Sequence, residues 1–69
     1  MTFQPLDDDF PHDAGNPARG ALRHAGYTRL AQLTEVTAAE VLALHGVGPK
    51  AVRVLREALA AEGLSFAGE

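Results

Sequence analysis

The chain has 69 residues, a formal net charge of −3, 46% hydrophobic and 22% charged residues, and no cysteine. That is room for one domain. It excludes disulfides and thiolate metal sites, and it argues against an enzyme with a cofactor cleft of its own.

Alanine (13) and leucine (9) dominate the apolar residues and isoleucine is absent, so the composition predicts an all-α fold. Charge divides the chain in two. Residues 1–15 carry Asp7, Asp8, Asp9 and Asp13 and no Lys or Arg, whereas residues 16–69 carry six cations against five anions. An acidic arm, 1–15, therefore precedes a slightly basic helical domain, 16–69. No apolar run approaches the ~20 residues of a membrane span. Asp7 to Asp9 sit where a signal peptide needs its apolar stretch. The expectation is a cytoplasmic chain with no membrane partner.

In the arm, Phe3, Pro5, Leu6 and the Phe10-Pro11 pair leave two readings open: a mobile tail, or a short extended segment docked on the helices. The spacing predicts a first helix with Asn16 as N-cap, Pro17 at its first position and Gly26 as its stop. Ala18, Ala21, Leu22 and Ala25 form its apolar face; Gly20 weakens it, and Arg19 and Arg23 share another face.

Thr28 is the expected cap of a short second helix that points Leu30 and Leu33 inward. Thr37-Ala38-Ala39-Glu40 reads as a capping box. It opens a third helix to about Leu44 that buries Val41, Leu42 and Leu44. His45-Gly46-Val47-Gly48 follows, then Pro49 at the start of a fourth helix running to about Glu62. Val52, Leu55 and Leu59 form its stripe, with Ala51 and Ala58 beside it. Gly63 stops it, and Leu64 and Phe66 are placed to return to the core. Leu22-x3-Gly26 echoes Leu44-x3-Gly48, as two degenerate helix-turn-helix pairs would.

The stretch from Leu42 to Leu55 carries the chemistry. Gly46 and Gly48 permit positive φ and leave no Cβ between backbone and ligand. Val47 tucks inward and Pro49 preorganises the next helix. Free amides near Gly48, Lys50 and Ala51 then face an incoming anion with the positive end of the helix dipole. Lys50 adds a full charge, and Arg53, three residues on, lies on the same side. Such a site grips phosphate without touching a base.

Leu-His-Gly-Val-Gly-Pro-Lys-Ala, Leu44 to Ala51, resembles the helix-hairpin-helix DNA-binding motif. The span Asn16 to Phe66 resembles the C-terminal domain of the bacterial RNA polymerase alpha subunit. The landmarks are Leu22-x3-Gly26-Tyr27, Leu30-x2-Leu33, Thr37-x2-Glu40-x-Leu42, Gly48-x-Lys50 and Leu59-x3-Gly63-Leu64-Ser65. The resemblance implies a SAM-like bundle of four helices and a final turn. It implies DNA-backbone contact through the hairpin glycine and lysine, here Gly48 and Lys50. The family's minor-groove arginine falls on Pro17, its first-helix asparagine on Gly20 and its hairpin asparagine on Gly46, so its preference for A-T-rich grooves does not carry over.

The function expected is thus a small, largely sequence-independent binder of the double-stranded DNA backbone. Gly46, Val47, Gly48, Lys50, Ala51 and Arg53 form the site, and Arg19 and Arg23 are secondary contacts. A competing reading makes the hairpin a structural turn in a protein-protein adaptor that serves transcription machinery. Arg53 then pairs with Glu57, and Arg19 and Arg23 form a solvated face. The acidic arm and the net charge of −3 favour the adaptor; the arm's carboxylates repel DNA, compete for the basic site or aid solubility, and His45 contacts phosphate or caps the helix before it. His12, His24 and His45 lack a metal-ligand spacing and no catalytic constellation stands out, so no metal, cofactor, small-molecule substrate or enzymatic activity is expected.

Overall fold

The computed structural model describes residues 8–69, and every element in it is helical, with no strand among the described residues. A 3-10 turn, His12–Ala14, leads into α1, Asn16–His24. A second 3-10 helix, Leu30–Glu35, precedes α2, Ala38–Leu42, and the long α3, Pro49–Ala61. No helix of the described residues is long and apolar enough to cross a membrane.

The periodic apolar residues meet in one core. Leu22, Leu30, Leu33, Val41, Val52, Leu55 and Leu59 are all buried, and Leu44 packs against them half-buried. Two expected core positions differ. Leu42 is 44% exposed, because Val41 and Leu44, three apart, take the inward face and Leu42 lies about 100° around the helix from Val41. Ala25, the C-cap that ends α1, is exposed.

Helix starts also depart in detail from the sequence pattern. Asn16 is already helical, and Gly15 stands as the N-cap without a side-chain bond. Thr28 does not cap the second helix with its hydroxyl. Gln32 Oε1 instead accepts from the Thr28 and Arg29 amides at 2.8 and 2.9 Å. That segment winds as 3-10 helix rather than α. The Thr37–Glu40 capping box forms as expected, with reciprocal bonds of 3.0 and 2.8 Å. The two glycines of the Leu22-x3-Gly26 and Leu44-x3-Gly48 strings differ in backbone. Gly26 and Gly46 have positive φ, 101° and 100°, and Gly48 does not.

The described part of the arm, residues 8–14, is docked. Phe10 is only 4% exposed and joins the core with Ala14. Phe3, Pro5, Leu6 and Asp7 lie outside the described residues. Asp8 and Asp9 hold the arm down rather than projecting from it. The Asp8 carboxylate has no exposed area and accepts from Arg23 Nη1 at 2.6 Å, Arg19 Nε at 3.4 Å and the Phe10 amide at 3.0 Å. The Asp9 amide donates to the Thr28 carbonyl at 3.1 Å, and its carboxylate accepts from the Leu30 amide.

At the other end Phe66 is fully enclosed, and Ala67 donates to the Val36 carbonyl at 2.9 Å. Arg56 lies 5.9 Å from the Phe66 ring centre and grips the Glu69 carboxylate through Nε and Nη2.

Phe10→Ala removes a buried ring, at a cost of about 3–5 kcal/mol. A domain this small has little more than that in total. Circular-dichroism melting should show the variant largely unfolded near ambient temperature, and an unchanged melt would place Phe10 outside the core.

Burial opposes ionisation of Asp8, but hydrogen bonds from Arg23, the Phe10 amide and Arg19 outweigh it and hold the carboxyl below the usual aspartate range. The folded chain therefore binds this proton more weakly than the unfolded chain does. The stabilisation is complete above the ordinary aspartate pKa and is lost as pH falls below it toward the folded value. Urea melts between pH 7 and about 3 should show a steeper acid loss for wild type than for Asp8→Asn.

Candidate nucleic-acid interface

The link between α2 and α3 is a tight turn closed by backbone bonds. The Leu44 amide donates to Val41 at 3.0 Å and the Val47 amide to Leu44 at 3.1 Å. Gly46 takes the left-handed conformation, φ 100°, that a side chain would strain. It is also crowded. A Cβ there would sit 3.0 Å from the Pro17 carbonyl oxygen and 3.6 Å from Ala21 Cβ, so the hairpin is pressed directly on α1. Val47 points inward and is buried.

Gly48 is different. Its φ of −110° and ψ of 177° are extended backbone open to any residue, and a Cβ on it would meet nothing within 4 Å. Positive φ is thus needed at Gly46 only. What glycine leaves at Gly48 is an uncovered stretch of main chain. Pro49 then starts α3, and the first amide of the helix with a partner is Val52, which donates to Gly48 at 3.1 Å. Among the described residues, the Lys50 and Ala51 amides find no acceptor and no side chain caps them.

Lys50 and Arg53 are exposed and form no ion pair among the described residues, so the Arg53–Glu57 pair that the spacing allows does not form. No carboxylate lies between His45 and Arg53 in the chain. His45 is exposed and makes no side-chain hydrogen bond among the described residues. Ala51 belongs to the core at 6% exposure, so it offers a ligand its amide alone, whereas Val47 is buried with its amide already bonded to Leu44 and offers a ligand nothing.

The structure gathers Gly46, Gly48, Lys50 and Arg53 at one corner and leaves Arg19 and Arg23 out of it. The contact with Gly46 uses the Pro17 and Ala21 side of α1. Arg19 and Arg23 lie roughly 200–240° around the helix from Pro17 and are engaged by Asp8. Two features escaped the sequence pattern: the Pro17 carbonyl under the hairpin, and the arm carboxylate that claims both arginines. Asp8 stands 11 and 15 residues from its partners, and no local spacing announces such a pair.

Comparison with protein families, curated proteins and solved structures finds no match to this chain.

The two hairpin glycines should respond oppositely to alanine. Gly46→Ala meets both an unfavourable φ and a backbone oxygen that cannot swing aside, and should cost about 1–3 kcal/mol. Gly48→Ala meets neither, and its melting temperature should stay within the small range of neutral surface changes. Equal losses at both positions would remove the Pro17 contact as the reason for glycine.

Proposed function

We propose that this domain binds the phosphate backbone of double-stranded DNA through the start of α3, in the manner of a helix-hairpin-helix module. One observation carries the reading. The amides that open α3 are uncapped beside Lys50 and Arg53, with the Gly48 main chain uncovered next to them.

The other helix starts give the contrast. The second 3-10 helix has its first amides taken by Gln32 and Asp9, and α2 has Thr37 and Glu40. Among the described residues, α1 and the 3-10 turn His12–Ala14 also begin without a side-chain cap, and the Pro17 of α1 lies against the hairpin. Unpaired amides and the positive end of the α3 dipole favour an anion, and two flanking cations suit consecutive phosphates. The order of a first helix, a short helix, a capped helix, a glycine hairpin and a long helix is also what the resemblance to the polymerase alpha C-terminal domain implies.

No large apolar side chain is exposed between His45 and Arg53, which favours nucleic acid over a protein partner at this corner. Pro17 replaces a reaching side chain, so binding is largely independent of sequence. With about two phosphate cations, affinity is modest and falls roughly ten-fold between 50 and 200 mM salt.

Lys50→Ala removes one of the two charges without touching the core. Fluorescence-anisotropy titrations against unrelated duplexes should show a uniform loss of affinity and a salt slope smaller by about one unit. Glu35→Ala, an exposed change at the end of the second 3-10 helix, is the control and should bind like wild type. If Lys50→Ala matches wild type at low salt, or if neither binds, the hairpin is a structural turn.

A further inference from the structure

A shallow cleft of about 180 Å3 opens beside the hairpin, lined by Ala25, Tyr27, Val36, Glu40, Val41 and Leu44. Two tethers place it near Gly46. Leu44, in its wall, is two residues before Gly46. Ala25, also in its lining, is the C-cap of α1 and donates its amide to the Ala21 carbonyl, and Ala21 Cβ lies 3.6 Å from where a Gly46 Cβ would stand.

The lining suits a flat, partly polar guest. Tyr27 is half-buried and offers the one aromatic ring of the cleft among the described residues, and Val36, Val41 and Leu44 supply apolar walls. Glu40 spends Oε1 on the Thr37 amide and hydroxyl, leaving Oε2 without a partner among the described residues. A carboxylate oxygen accepts from the exocyclic amino group of a base. The volume is below the ~300 Å3 of a drug-sized pocket and suits a single ring system.

We infer that this cleft receives one unstacked, amino-bearing nucleobase from a single strand whose phosphate lies on the hairpin. The domain then prefers single-stranded, frayed or gapped DNA to a closed duplex. This rests on the phosphate-binding reading and adds a second contact to it. Base-aromatic stacking tolerates sequence, in keeping with a site that lacks a groove-reading side chain.

Tyr27 is the only tyrosine and there is no tryptophan, so intrinsic fluorescence reports on the cleft directly. A short oligodeoxycytidylate should quench wild-type emission, and a blunt duplex of the same length should not. Tyr27→Leu should weaken the single strand about ten-fold and leave the duplex unchanged. Tyr27→Phe should keep wild-type affinity for both, with melting curves verifying that the variants fold. The wild-type quenching alone decides the matter if Tyr27→Leu does not fold.

Absence of quenching by either nucleic acid overturns the inference, and is the result expected if the cleft anchors an apolar side chain of a protein partner. Equal loss on single strand and duplex in folded Tyr27→Leu overturns it too. Lys50→Ala separates the two readings. Duplex binding that needs Lys50 but ignores Tyr27 keeps the phosphate site and removes the base pocket only if the single strand also ignores Tyr27. Single-strand binding that needs Tyr27 but ignores Lys50 keeps the cleft and removes the phosphate grip.

Discussion

Each helix begins with backbone amides that have no partner inside the helix, and where those amides find acceptors organises this protein. At the second 3-10 helix they turn to Gln32 and to Asp9 of the arm, which ties the chain's acidic segment to the loop after α1. At α2 the Thr37–Glu40 box closes the problem locally. At α3 it is not closed. Gly48 and Pro49 supply no donor-satisfying side chain, and the amides behind them remain available to an anion.

The arm is the second consequence of small size. A chain of 69 residues cannot enclose a core with three short helices and one long one alone. Phe10 and Ala14 from one end and Phe66 from the other complete it. Holding Phe10 in place falls to Asp8, whose carboxylate lies out of solvent between two arginines and the Phe10 amide. A buried carboxylate is costly unless its oxygens are fully occupied, and three donors occupy these. The same arrangement removes Arg19 and Arg23 from the pool of free cations.

A chain with net charge −3 can thus present a locally basic corner. Three described acids, Asp8, Asp9 and Glu40, are engaged by arginines or by backbone amides, and Glu69 is taken by Arg56. Lys50 and Arg53 are left without such partners among the described residues and stand side by side on α3.

The sequence by itself determined that the chain is helical, roughly where α1, α2 and α3 begin, and which stripe of α3 faces inward. Those features rest on local physics: a proline at a helix's first turn, a Thr-x-x-Glu cap, and apolar residues at a 3.6-residue period. It also pointed to Lys50 and Arg53 as exposed cations of the hairpin. Only the tertiary structure decided which hairpin glycine needs its freedom. The Gly-Val-Gly string is symmetric to the eye, and the Pro17 carbonyl 3.0 Å from a would-be Gly46 Cβ breaks that symmetry from 29 residues away. Only the tertiary structure, likewise, turned Leu42 outward, docked Phe10, and gave Arg19 and Arg23 to Asp8. Those outcomes depend on contacts between segments distant in sequence, and local periodicity holds no information about them.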